Sequence, residues 1–207
     1  MALRKRTLSS QQIQEEYLLV EAAKQNPRSF GKLYERYHHQ IYLFVYKRVD
    51  DEEITADLTS QVFLKAMMNL KKYTYKGVPF SAWLYRIAIN EVNQFFREHK
   101  HKRTISMEGK DLVLMMEEVE EDRTEENLRN LIQVMNHLTP DEVQFIELRY
   151  FERMPFKEIA EVYRITENNA KVKMYRLLGK MKKLMEQQKG DKVSRPAPKP
   201  GTKTSPR

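Results

Sequence analysis

The chain has 207 residues, of which 41% are hydrophobic and 32% are charged, and its formal net charge is +8. It contains no cysteine, which excludes disulfides and thiolate metal sites, and it has no apolar run long enough to span a membrane. The positive charge favours a polyanionic partner, nucleic acid before an anionic membrane. Apolar residues recur at helical spacing throughout, which predicts an all-α fold of two small helical domains.

The first helical domain is predicted over residues 14–103, after a flexible N-terminus of residues 1–13. This N-terminus has no apolar core of a secretory signal, which fits a cytoplasmic protein. Asn26 and Pro27 have the residue types of a helix cap and first turn. Asp50 and Asp51 open the next helix, and the inner face of that helix is predicted from its helical spacing to carry Ile54, Leu58, Val62, Phe63, Met67 and Leu70.

Residues 80–97, FSAWLYRIAINEVNQFFR, carry two stripes at helical spacing. One stripe is apolar and predicts a buried face, formed by Phe80, Leu84, Ile87, Ala88, Val92 and Phe95. The other combines an indole, two guanidinium groups and two amides, on Trp83, Arg86, Asn90, Asn93 and Arg97. Such groups stack on bases, grip phosphates and hydrogen-bond base edges. The alternative is an amphipathic helix with a solvated polar face.

An acidic segment separates the two helical blocks. Residues 108–126 hold nine acidic and two basic residues, a net charge of −7, whereas the rest of the chain carries +15. We interpret residues 104–125 as an inter-domain linker.

The second helical domain is predicted over residues 126–188. Thr139, Pro140 and Glu142 form a helix-start signature. Residues 155–184 then read as a short helix, a turn at 163–165 and a second helix capped by Thr166, which is the pattern of a helix-turn-helix. The alternative is an ordinary hairpin of two helices with a basic outer face.

The last residues, 189–207, hold four of the eight prolines and six basic residues against one acidic residue. This composition predicts a disordered basic tail, whose simplest role is that of a solubilising extension.

Three segments together resemble an extracytoplasmic-function sigma factor, a small two-domain class of bacterial RNA polymerase sigma factors. DLTSQVFLKA at 57–66 resembles the helix of this family that binds core polymerase, and FSAWLYRIAIN followed by FFR resembles its reader of the promoter −10 element. FKEIAEVYRIT with AKVKMYR resembles its −35-reading helix-turn-helix. The resemblance covers about residues 27–184.

The resemblance implies a protein that directs promoter recognition, DNA melting and transcription initiation without being an enzyme. The implied partners are bacterial core RNA polymerase, through its β′ clamp and β subunit, promoter DNA, and an anti-sigma factor that would hold the protein at the inner membrane face. No cofactor, metal or small-molecule substrate is implied. The segment that would bind the polymerase contributes Asp57, Leu58, Gln61 and Phe63. Of these, Asp57 and Gln61 are the better interface residues, since core packing is the expected role of Phe63.

The −10 element would be bound as melted single strand, with flipped bases on stacking platforms beside a basic groove. The residues implied in this role are Lys72, Tyr73, Tyr75, Lys76, Trp83, Arg86, Asn90, Asn93 and Arg97, with Trp83 as the wall for a captured base. The −35 element would be read as duplex by Asn168, Asn169, Lys171, Lys173 and Arg176. In the family the linker resembles a nucleic-acid mimic; a self-repelling spacer is the alternative here.

Some positions depart from the family pattern. Ser60 stands where Gln is usual, and Arg164 stands where the turn often has Gly. A residue other than Gly at that position requires either a positive φ or a different turn.

Two other classes of function compete with this interpretation. The first is a helix-turn-helix repressor or activator that works without polymerase and dimerises on a palindrome. The second is a nucleic-acid-processing enzyme, but the sequence has no HExxH motif, Gly-rich phosphate loop or cysteine nucleophile.

Overall fold

The computed structural model describes residues 10–99 and 124–193. All regular structure in these ranges is helical, which confirms the all-α prediction. The α-helices are α1 (Ser10–Gln25), α2 (Phe30–Val49), α3 (Glu52–Asn69), α4 (Phe80–His99), α5 (Glu125–Met135), α6 (Pro140–Tyr150), α7 (Phe156–Tyr163) and α8 (Glu167–Val193). Single 3-10 turns, Pro27–Ser29 and Leu70–Lys72, precede α2 and follow α3.

Short polar side chains start several of these helices by accepting otherwise unpaired backbone N–H groups. Asp51 accepts from Ile54 N at 2.9 Å at the start of α3. Thr139 and Glu142 form a capping box before α6, in which Thr139 N donates to Glu142 Oε2 at 2.8 Å. These starts were readable from the sequence because a cap depends on residues only three positions apart.

Three helix bounds lie within a few residues of the predicted domain boundaries. Helix α1 begins at Ser10, so residues 10–13 are helical rather than a flexible terminus. Thr124 caps α5 and Glu125 begins it, so the second helical unit starts two residues before the predicted 126. Helix α8 continues to Val193, five residues into the predicted tail. Residues 100–123, which include all but the last two residues of the predicted linker 104–125, and the tail beyond 193 lie outside the described residues.

Helix α4 lies at the centre of the fold, packed against α2, α3 and α7. Its first N–H, that of Phe80, donates to the buried carboxylate of Glu16 on α1 at 2.9 Å. Glu91, on the apolar side of α4, is buried and accepts from Lys65 Nζ at 2.6 Å. That ion pair explains an acidic residue that the amphipathic pattern alone did not.

The N-terminal and C-terminal units share one buried apolar cluster. Polar groups also join them: Arg48 of α2 forms an ion pair with Glu147 of α6, and both side chains are about 97% buried. Tyr85 on α4 donates to Glu152, which follows α6, and accepts from Gln40 on α2 at 2.9 Å. The two predicted domains therefore pack directly on each other.

Candidate nucleic-acid interface

Helices α7 and α8 meet in a tight turn. Arg164 adopts the left-handed conformation, with φ 55° and ψ 42°, so the departure from Gly is met by positive φ and not by a different turn. Ile165 N donates back to Ala160 O at 3.0 Å, and Thr166 Oγ1 accepts from Asn169 N at 3.1 Å to start α8. The small, buried Ala160 allows the close approach of the two helices.

Four of the five residues expected to read duplex DNA are exposed on α8: Asn168, Asn169, Lys171 and Arg176. Lys173 differs. Its Nζ lies 2.6 Å from Asp141 Oδ2 and within 5 Å of the ring centroids of Phe145 and Tyr163, at 4.9 and 4.7 Å. Lys173 therefore connects α8 to α6 in this structure. Its position around the helix directs its side chain toward α6 and away from the outer face of α8.

Trp83 is buried, whereas its position in the polar stripe of α4 predicted an exposed side chain. It is 7% exposed, and its ring centroid lies 5.1 Å from that of Tyr73 and 5.3 Å from that of Phe80. The physical reason is that α4 is surrounded by other helices over its first two turns, so its buried face is wider than one apolar stripe. A base could reach Trp83 only after neighbouring side chains move.

The loop before α4 divides into exposed and buried residues. Lys72 and Tyr75 are exposed, and the Tyr75 ring lies 5.5 Å from that of Tyr17. Tyr73 is buried, and burial, together with the nearby carboxylates of Glu16 and Glu161, raises the pKa of its hydroxyl, which keeps it protonated.

Two of the four cations expected at the −10 strand, Arg86 and Lys76, contact a carboxylate of the helix-turn-helix. Arg86 Nη1 lies 3.1 Å from Glu161 Oε1, and Lys76 Nζ lies 3.1 Å from Glu161 Oε2. Burial, followed by repulsion from Arg164, lowers the pKa of Arg86, and Glu161 opposes this shift. Helix α7 thus covers part of the predicted single-strand surface.

The remaining expected residues lie toward the C-terminal end of α4. Asn90 and Arg97 are exposed. Asn93 and Arg97 line a cleft of about 570 Å³ whose opposite wall includes Pro140 and Gln144 of α6.

The four residues of α3 that were expected to bind polymerase lie on two different faces of the helix. Asp57 and Gln61 are exposed, whereas Leu58 and Phe63 are core residues, 5% and 3% exposed. The outer face also presents Leu64 and Met68, which are 52% and 72% exposed. Sequence reasoning missed these two, although they continue the helical spacing from Asp57 and Gln61.

Two family models match this chain, in order along it. The model described as Sigma-70 region 2 matches residues 33–102, and the model described as Sigma-70, region 4 matches residues 128–181. The chain belongs to the extracytoplasmic-function sigma factors. It is therefore an RNA polymerase sigma factor, a protein of promoter recognition and transcription initiation.

Relatives of this sigma factor include the ECF RNA polymerase sigma factor BldN of Streptomyces coelicolor, 30% identical over 170 residues, or 81% of this chain and 64% of BldN. The ECF RNA polymerase sigma factor SigM of Bacillus subtilis is 24% identical over 75% of this chain and 94% of SigM.

Two solved structures share the fold of this sigma factor. CnrH in complex with the cytosolic domain of CnrY is 19% identical, with a TM-score of 0.54 over 83% of this chain and 97% of that chain. The sigma factor RpoE in complex with the anti-sigma factor NepR from Bartonella quintana is 15% identical, with a TM-score of 0.50 over 81% of this chain and 99% of that chain.

In the described part of this sigma factor, none of the helices is both long and apolar enough to cross a membrane. The same residues contain no group of three or more His, Asp or Glu side chains placed to hold a metal ion.

Proposed function

We propose that this sigma factor binds core RNA polymerase through the outer face of α3, captures the melted −10 strand with α4 and the loop before it, and reads the −35 duplex with α8. The observation that carries the proposal is the presence of both sigma-70 regions in one chain. A repressor or activator that acts without polymerase needs only the helix-turn-helix. The N-terminal unit, ending with α4, and the C-terminal unit, beginning at Thr124, are proposed as the two functional domains.

Polymerase binding is assigned to Asp57, Gln61, Leu64 and Met68. They combine an acidic group and an amide with two exposed apolar side chains on one helical stripe. Such a surface suits a partner helix that offers basic residues around apolar anchors, as in a clamp coiled coil.

Promoter binding requires that α7 move away from α4. Glu161 neutralises Arg86 and Lys76 while the two units are packed together. Phosphates of the melted strand would replace that carboxylate after separation, since they offer the same charge to the same cations. A flipped base would reach Trp83 only when the Tyr73 ring, packed on it at 5.1 Å, also moves.

The packing of α7 on α4, in which Glu161 pairs with Arg86 and Lys76, also suggests how the protein is held inactive. An anti-sigma partner that contacts both units would stabilise it, and a membrane-bound partner would keep this cytoplasmic protein at the inner membrane face. Catalysis of RNA synthesis then belongs to the polymerase, and this chain supplies only positioning.

In-vitro transcription with core polymerase on genomic fragments, with start sites mapped, tests the proposal. We expect a one-to-one complex with core polymerase, start sites that share two upstream elements, and weak binding of the free chain to duplex DNA. Tight, specific duplex binding by the chain alone, with no dependence on core polymerase, would instead establish the repressor or activator.

A further inference from the structure

The outermost stripe of α8 contains two apolar side chains. Val172 is 39% exposed and Tyr175 is 80% exposed. They follow Asn168 at helical spacing, on the side of α8 opposite the buried residues Ala170 and Met174. In a helix-turn-helix this stripe of the second helix faces the floor of the major groove.

We propose that Val172 and Tyr175 read thymine methyl groups in the upstream promoter element. This inference rests on the proposed function and names the chemistry of its duplex contact. The C5-methyl of thymine is the apolar group that the major groove offers to a protein, and apolar side chains recognise it by contact. Such readout selects A·T pairs in a defined orientation.

Charged groups flank the two apolar side chains on both sides. Lys171 lies at one edge and Arg176 at the other, and both are exposed. Lys171 forms only a surface ion pair with Glu167, at 2.7 Å and with both side chains about half exposed. Cations placed on either side of a narrow apolar stripe match the two phosphate strands that border a major groove.

Gly179 continues the stripe one turn beyond Tyr175. It is exposed, and a side chain at this position would extend into open space rather than into the protein. The absence of a side chain leaves room for a DNA strand to approach the helix beyond Tyr175. A protein partner or second copy would have only two apolar side chains to bury within a basic surface, so charge complementarity favours the duplex.

The experiment uses a duplex selected with core polymerase bound to the full chain. Each thymine of its upstream element is replaced in turn by deoxyuridine, which removes one methyl group and nothing else. At one or two positions the wild-type holoenzyme should bind about fourfold more weakly, the factor expected for one methyl group withdrawn from an apolar contact. Val172→Ala or Tyr175→Ala should bind the thymine and deoxyuridine duplexes equally at the corresponding position.

Two further variants serve as controls. Tyr175→Phe keeps the ring and should keep the discrimination, whereas Lys171→Ala should weaken both duplexes by the same factor. A wild-type holoenzyme that ignores every deoxyuridine substitution while still initiating at the selected promoters would overturn the methyl readout and leave the proposed function intact. If the holoenzyme selected no duplex at all, both the methyl readout and the proposed function would be contradicted.

Discussion

Glu161 on α7 holds Arg86 on α4 at 3.1 Å, with both side chains only about one-sixth exposed. A carboxylate of the predicted duplex reader thus binds a guanidinium of the predicted single-strand reader. While α7 and α4 are in contact, each unit therefore limits the access of DNA to the other.

Glu161→Gln should loosen the packing of the two units. It removes the charge that pairs with Arg86 and Lys76 but keeps the size of the side chain. Partly exposed ion pairs contribute up to about 1 kcal/mol, so we expect roughly a fivefold shift toward separated units. The chain has no cysteine, so dyes on introduced Gln25→Cys and Lys183→Cys can report the distance by energy transfer.

Glu167→Gln is the matched control, because Glu167 pairs with Lys171 inside α8 and spans no interface. Energy transfer in this variant should equal that of the unsubstituted protein. An unchanged signal in Glu161→Gln as well would argue that Glu161 does not hold the units together.

Glu147→Ala should lower the free energy of unfolding by about 3–5 kcal/mol, because Arg48 would be left buried without its counter-charge. Chemical denaturation followed by circular dichroism measures the loss. The double variant Arg48→Met with Glu147→Leu should recover most of it, because an apolar pair needs no compensation. A loss no larger than that of an exposed substitution would contradict the buried pairing.

Glu16→Gln should raise the stability of the protein at pH 7. Burial raises the pKa of Glu16 above 4.5, although the Phe80 N–H and Arg36 oppose the shift. Stability from a raised pKa is present below the unfolded value and is lost as the pH rises through the folded value. A neutral amide avoids that loss and can still accept from Phe80 N.

The pH dependence separates this explanation from a general effect of the substitution. The advantage of Glu16→Gln in unfolding free energy should shrink as the pH falls through the raised folded pKa toward 4.5, and it should be nearly absent at lower pH. Glu16→Ala, which loses the acceptor for Phe80 N, should cost about 1 kcal/mol. An advantage of the same size at every pH would show that the charge of Glu16 is not its source.

Leu64→Ala with Met68→Ala should weaken binding to core polymerase on the order of tenfold, as expected when two exposed apolar anchors are truncated. The midpoint of thermal unfolding should stay close to that of the unsubstituted protein, because both side chains are mostly exposed. Leu43→Ala on α2, also exposed, is the control. Equal binding by all three proteins would remove this face of α3 from the interface.

Local signals made part of this structure predictable. Asp51, Thr139 and Thr166 each cap a helix within three residues of themselves, and such caps do not depend on distant packing. The spacing of Ala170, Met174, Leu177 and Met181 likewise identified the buried face of α8. Partners from other helices were not predictable. The burial of Glu91 on the apolar side of α4 is explained only by its ion pair with Lys65 of α3.

The all-α class, the helix-turn-helix and the sigma-70 character of both units could be predicted from the order of amino acids, because these depend on helical period and on short-range residue types. Which cations are available to DNA depends instead on how the helices pack. Lys173 and Lys171 lie two residues apart, yet one braces α6 and the other faces outward. Trp83 and Arg86 are covered because α4 is packed from several sides and Glu161 approaches from a helix 75 residues away, and that approach depends on how whole helices assemble.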